Sequence, residues 1–334
     1  MARWLLFVLA AAAMPAGAAT PSVSAGGSHS LALHADGTLR SWGDDSTGAL
    51  GIGRSLVSSS PLAVAGLAGV IAVSAGGNHT VALKSDGTVW AWGANEYGEL
   101  GDGTTTSRSI PVRVAGLDNV VQVSAGRFFT VARRSDGSVW TWGSNNAGEL
   151  GDEGGHRSTA RAVPGLVGIV EISAGPYHVL ARTSSGLVLA WGLNGDGQLG
   201  DGAPTASYEG RATPVLVANL RDVAQVAAGG YHSVARKTDG TVWAWGANGG
   251  GEVGDGTTVR RSTPVQVGLA NVVEISAGAM YSLARGRDGS VWAWGAGGYG
   301  QIGDGEYLDR PTPVRLNGLA GVAQLVAGFL HSAA

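Results

Sequence analysis

Histidine recurs at one place in a repeated text, as His29, His79, His178, His232 and His331, while Phe129 and Tyr281 stand at the same place in two further copies. Imidazoles at regular spacing could ligate a metal or move protons, but neither chemistry survives replacement by phenylalanine. The pattern predicts a structural histidine at the start of a strand, bonded to a loop backbone. Aspartate recurs as Asp102, Asp152, Asp201, Asp255 and Asp304, each in Gly-Asp-Gly or a variant of it. Calcium needs several oxygens converging from one loop. One carboxylate per copy predicts instead a turn residue that bonds its own backbone. Three stretches match Gly-x-Gly-x-x-Gly, starting at Gly195, Gly249 and Gly298. A dinucleotide site needs that pattern between a strand and a helix, with an acidic residue further on, and no helical pattern follows any of them. Gly-x-Ser-x-Gly, His-Glu-x-x-His and a Walker loop are all absent. The sequence therefore predicts no catalytic residues, no metal site and no cofactor.

The elements that carry these residues follow from the spacing of the Trp-Gly pairs. Trp42, Trp92, Trp142, Trp191, Trp245 and Trp294 lie 50, 50, 49, 54 and 49 residues apart. A period of this size means a solenoid, a propeller or an array. Glycine makes up 57 of 334 residues, far above the usual ~7%, and falls at fixed places in each unit where turns need positive φ or close backbone approach.

Within the second unit, "VIAVSAG" (70–76) and "HTVAL" (79–83) are apolar runs, Asp86-Gly87 separates the second from "TVWAW" (88–92), and "IPVRV" (110–114) follows a glycine-rich loop. Asp-Gly between apolar runs is a strong hairpin signal and predicts a type I′ turn with φ > 0 at both central residues. It recurs at Asp36-Gly37, Asp136-Gly137, Asp239-Gly240 and Asp288-Gly289, with Ser185-Gly186 in the fourth unit. The result is four short antiparallel strands per unit, the size of a propeller blade. Runs such as "VWAW" are apolar on both faces, as a blade covered on both sides requires. Trp90, Trp140, Trp243 and Trp292 precede the Trp-Gly pair by two residues and share its strand face. Both tryptophans are expected to make the blade-to-blade contact. Arg40 and Leu189 replace the first of them in two units, where looser packing is expected.

The text "AGGNHTVALKSDGTVWAWGANEYGELGDGT" resembles the repeat of the regulator of chromosome condensation family. The resemblance runs from Val23 onward and rests on Ala-Gly-x-x-His, Asp-Gly-Thr, Trp-Gly-x-Asn-x-x-Gly-x-Leu-Gly and Pro-Val. It implies an all-β, seven-bladed propeller. Six complete units are present, with a seventh opening, "VAQLVAGFLHSAA", that reaches Ala334 before its hairpin. A truncated seven-blade ring is favoured over six blades closed with an extra strand or a ring left open.

The N-terminus differs from everything after it. "MARWLLFVLAAAAMPAGAAT" has Arg3, an apolar run from Trp4 to Ala13 and the small residues Ala16-Gly17-Ala18. This is the pattern of a bacterial-type secretory signal, too short to span a bilayer. It predicts a signal peptide over 1–18, a single propeller domain over 19–334, and a secreted or periplasmic location. Zero cysteines are compatible with export when a large repeated core replaces disulfides. The net charge of −3 and pI of about 6.2, with basic residues scattered, argue against nucleic acid as partner.

Where the units vary is informative. In an antiparallel meander the first and third loops emerge on one side. The first-loop position before the histidine reads Ser28, Asn78, Phe128, Tyr177, Tyr231, Met280 and Leu330, next to Phe329, and the third loop adds Tyr97 and Tyr299. Large apolar side chains on variable loops suit protein binding, although such rings can also lie across neighbouring blades as packing. The candidate set is Tyr97, Phe128, Tyr177, Tyr231, Met280, Tyr299 and Phe329, with Tyr208 nearby in the fourth-unit insertion. The expected function is an exported, non-enzymatic propeller that binds another protein through this face. The resemblance implies a second class, guanine-nucleotide exchange on a small GTPase with chromatin binding. Inhibition of a secreted hydrolase, a role of some exported relatives, is a third.

Overall fold

The computed structural model describes residues 19–54, 57–204 and 209–334. The expected signal segment and Tyr208 lie outside the described residues. No helix occurs among those described. They form six four-stranded sheets, in each of which every strand pairs with the next along the chain, and one two-stranded sheet. The second blade is typical, with strands Val70–Ala75, His79–Lys84, Val89–Gly93 and Arg108–Arg113. The start of the seventh unit forms only the two-stranded sheet, Val326–Ala327 with Ser332–Ala333.

The chain divides into two compact units, one of residues 19–146 and 150–172, the other of 147–149 and 173–334. The first unit contains three blades. Its core runs through Val81, Leu83, Leu100, Val123 and Trp142, residues drawn from two consecutive blades. The second unit contains the other three blades and the two-stranded sheet, with the same kind of shared core around Trp245 and Trp294.

The hairpins depart from the type I′ expectation. Lys84 C=O accepts from Gly87 N–H at 2.9 Å and Lys84 N–H donates to Thr88 C=O at 3.0 Å. Gly87 has φ 77° but Asp86 does not enter the left-handed region. This is a three-residue loop, a type I turn closed by a glycine bulge. Asp86 contributes differently from what the dipeptide rule assumes: its Oδ1 accepts from Thr88 N–H at 3.0 Å and Thr88 Oγ1–H at 2.6 Å, holding the turn from the side.

The two tryptophans of each pair also differ. Trp92, Trp142, Trp191, Trp245 and Trp294 are fully buried. Trp90, Trp140, Trp243 and Trp292 are half-buried. Their indole N–H groups donate to the turn hydroxyls of Thr88, Ser138, Thr241 and Ser290 within their own blades. Lys84, Arg134 and Lys237 lie over three of these rings at 4.6–5.6 Å. The deep blade-to-blade contact therefore belongs to the second tryptophan, because the first sits where a cation from the same hairpin can cover it. Arg40 is exposed and Leu189 half-buried at the first position, in keeping with a peripheral place.

Candidate functional site

Four of the five recurring histidines bond a hydroxyl of the following blade rather than the loop backbone expected. His79 Nε2 lies 3.0 Å from Thr130 Oγ1, and Thr130 Oγ1–H donates to Glu99 C=O at 3.0 Å. The hydroxyl's one proton is thereby used, so His79 must donate from Nε2 and keep Nδ1 bare. The same relay runs from His29 to Thr80 and Ala49 C=O, from His178 to Ser233 and Gln198 C=O, and from His232 to Ser282 and Glu252 C=O. The buried indole of the receiving blade donates to that same carbonyl, as Trp142 Nε1 does to Glu99 at 2.7 Å and Trp294 Nε1 to Glu252 at 2.9 Å. Burial holds His79 and His178 down to about 3 and His232 to about 4, with a neighbouring histidine adding to the effect for the first two. These rings are neutral structural groups.

The relay explains the two exceptions in sequence. After Phe129, which cannot donate, the next repeat carries Val179 at the hydroxyl position. Tyr281 keeps a polar tip: its hydroxyl donates to His331 C=O at 2.6 Å and accepts from Ser332 Oγ–H at 3.0 Å. Ser332 Oγ also lies 3.0 Å from Gln301 C=O, and Ala327 N–H donates to Ser276 Oγ at 3.0 Å. The two-stranded sheet thus places Ser332 Oγ by the Gln301 carbonyl as Ser282 Oγ is placed by that of Glu252, with a tyrosine hydroxyl in place of the imidazole.

The recurring aspartates are turn residues that bond their own backbone, and each has a partner that sequence reading missed. Asp102 Oδ1 accepts from Thr104 N–H at 2.9 Å while Oδ2 pairs with Arg108 at 2.9 Å. Asp152–Arg157, Asp201–Arg211, Asp255–Arg261 and Asp304–Arg310 repeat the ion pair. The first blade has Ile52 and Ser58 in these places and so lacks both members together. That joint absence was the available signal. The third loop is further tied by asparagine, as Asn95 Oδ1 accepts from Leu100 N–H at 2.9 Å and Nδ2 donates to Thr106 C=O at 3.0 Å.

These constant residues hold the loops, and the variable side chains stand on them. In the first unit Tyr97, from a third loop, lies 5.4 Å from Phe128, from the next blade's first loop, and 5.0 Å from His156. Arg127 covers Phe128 at 4.9 Å. First and third loops therefore do share one side here. Both rings are half-buried. In the second unit Tyr177 and Tyr231 lie 5.2 Å apart, and they and Met280 are also half-buried. Tyr299 is 67% and Phe329 38% exposed. Tyr307, Leu308 and Leu330, on the same third and first loops, are exposed as well. The five stand between positions 299 and 330, whereas the five other candidates are half covered by neighbours.

A cleft of about 410 Å³ opens beside Tyr231 and Met280, with Gly249, Asp196, Glu252 and Arg260 on its wall. Burial raises the Glu252 carboxyl, against the pull of the Glu252 and Gly250 backbone, and Asp309 and Asp196 add repulsion. The stretches at Gly195, Gly249 and Gly298 lie in third loops that lead to strands, and none opens a helix.

Residues 9–334 match the family model of the RCC1-like domain. The chain is similar to Prp20p from Saccharomyces cerevisiae, whose structure is described with its binding to Gsp1p and histones. The two share 25% identity and a TM-score of 0.83 over 93% of this chain and 81% of that one. Human WBSCR16 has the same fold at 22% identity, with a TM-score of 0.83 over 94% of this chain and 86% of that one. Yeast RCC1 (Prp20) in its complex with Kap60 gives 25% identity and a TM-score of 0.82, over 93% and 78%.

Proposed function

The chain belongs to the RCC1-like domain family, and on that premise we propose that it is an exported, non-enzymatic propeller that binds another protein through the face bearing its first and third loops. The observation that carries this reading is the exposure of Tyr299, Tyr307, Leu308, Phe329 and Leu330 on one pair of loops. Clustered exposed aromatic and aliphatic side chains mark interaction surfaces. The half-buried pairs Tyr97–Phe128 and Tyr177–Tyr231 supply stiffer ground on the same kind of loop. Recognition of a protein is supported by the net charge of −3, with no excess of basic residues to draw a phosphate backbone. Export rests on the N-terminal pattern Arg3, Trp4–Ala13 and Ala16-Gly17-Ala18. Among the described residues no helix is long and apolar enough to cross a membrane.

Likeness to Prp20p supports a second reading, regulation of a small GTPase of the Gsp1p kind. The N-terminal export pattern argues against it.

The test is affinity capture from culture supernatant and envelope extracts with residues 19–334 as bait, beside a folded variant carrying Tyr299→Ala, Tyr307→Ala, Phe329→Ala and Leu330→Ala. A partner held by the first and lost by the second supports the reading. Identical capture by both baits removes this face from it, and capture of a GTPase alone favours the second reading.

A further inference from the structure

The cleft beside Tyr231 carries a charge that the fold does not require. In the third loop of each blade after the first, an acidic or amide side chain reaches back to a backbone N–H two residues earlier. Glu99, Glu149 and Glu252 use Oε2 to accept from Tyr97, Ala147 and Gly250. Gln198 and Gln301 do the same with Oε1, accepting from Asp196 and Tyr299. An amide therefore suffices for the structural bond. Glu252 nevertheless is a carboxylate, only 5% exposed, and it makes no ion pair among the described residues. A nearly buried carboxylate without a counter-ion is costly.

The surroundings state what would relieve that cost. Asp196 stands on the same wall, and Asp309 acts on Glu252 from nearby. The one cation lining the cleft, Arg260, is held at its Asp196 side: its Nη1 donates to Gly195 C=O at 2.9 Å and lies 3.7 Å from Asp196, a loose pair with side chains 57% and 41% exposed that leaves Glu252 without a counter-ion. Tyr231 and Met280 add an aromatic and a thioether wall against which an aliphatic stem or a guanidinium plane can lie. At about 410 Å³ the space is in the range of pre-formed small-ligand pockets.

We propose that this cleft receives an arginine or lysine side chain presented by the partner protein, with Glu252 as its counter-ion beside the loose Asp196–Arg260 pair and Tyr231 and Met280 lining its stem. The assignment rests on the protein-binding reading above and specifies what that partner must place at this point of the face.

The probes are Ac-Gly-Arg-Gly-NH2 and Ac-Gly-Lys-Gly-NH2, with Ac-Gly-Gln-Gly-NH2 as the uncharged control, titrated into residues 19–334 and followed by amide chemical shifts. Both cationic peptides are expected to move Gly195, Asp196, Gly249 and Glu252 with millimolar dissociation constants, and the glutamine peptide to leave them unmoved. Glu252→Gln, which copies the side chain of the fourth and sixth blades, should weaken the cationic peptides at least fivefold without altering the spectrum elsewhere. Glu99→Gln removes the same charge outside the cleft and should leave binding unchanged. Equal shifts from all three peptides, no shifts, or equal loss in both variants would overturn the proposal. Capture with the loop-aromatic variant keeps the two levels apart. A partner lost by that variant, with no peptide titration, leaves the binding face standing and removes the cleft. Peptide titration with no partner captured leaves a cation pocket and removes the face.

Discussion

His232 Nε2 lies 2.8 Å from Ser282 Oγ in the next blade, and Ser282 Oγ–H donates a hydrogen bond to Glu252 C=O. The structural histidine that the sequence predicts is thus a spacer between sheets, bonded to a hydroxyl of the next blade and not to a loop backbone. Its ring is packed so closely that a Cβ on Gly229 would stand 2.4 Å from its Cε1. Nothing near Nδ1 accepts a proton, and the ring stays neutral.

Acid should therefore unfold the protein early. Burial holds His79, His178 and His232 far below the 6.5 of a free ring, to about 3, 3 and 4. Between pH 6.5 and those values the unfolded chain takes up protons that the folded chain refuses. Stability is complete above pH 6.5 and falls as the pH drops, by about 1.4 kcal/mol per pH unit for each such histidine. Thermal melts from pH 7.5 to 5 should show a steep decline in Tm; a flat profile would contradict the buried neutral assignment.

The relay predicts its own rescue. His232→Phe leaves Ser282 without its donor and should cost about 1–2 kcal/mol. Adding Ser282→Val copies the residues Phe129 and Val179 that stand at these two repeat positions in the third and fourth repeats, and should recover part of that loss. Phe129 fits the same glycine slot, since a Cβ on Gly126 would meet its ring at 2.2 Å. A double-mutant cycle by urea unfolding reads the coupling; strictly additive costs would mean the two side chains act separately.

The Asp255–Arg261 pair offers a milder test. Asp255→Asn keeps an acceptor for Thr257 N–H but loses the ion pair at 2.6 Å, whose side chains are 9% and 33% exposed. The expected loss is about 1 kcal/mol in urea unfolding, reduced at high salt. Arg261→Ser, which copies Ser58 of the first blade, should cost a similar amount, and the two changes together little more than either.

Gly254 should tolerate no side chain. Its φ is 76° and a Cβ would stand 2.7 Å from the Trp294 indole. Gly254→Ala is expected to destabilise by about 2–3 kcal/mol through strain and displacement of that ring. A near-neutral effect would mean the indole is not seated against the loop.

Most of the scaffold was legible because repetition writes each rule six times. Strand placement followed from "VIAVSAG", "HTVAL" and "VWAW" to within a residue or two. The hairpin type did not, because Asp86 acts through its carboxylate rather than through its φ, and a dipeptide rule cannot distinguish these. The division of labour between Trp90 and Trp92 was hidden for a similar reason: strand parity puts them on one face but does not say which is covered by a neighbouring sheet and which by Lys84. The histidine partner was readable only through the joint change to Phe129 and Val179. The cleft at Glu252 was not readable, since it needs residues from four loops.

If the variable loops, and not the hairpins, meet the partner, hydrogen–deuterium exchange on the captured complex will show it. Slowed exchange is expected in the first and third loops, around Phe128, Tyr231, Glu252, Tyr299 and Phe329, with the Asp86-Gly87 and Asp239-Gly240 hairpins unchanged. Protection confined to those hairpins, with the loop face exchanging as in the free protein, would contradict it.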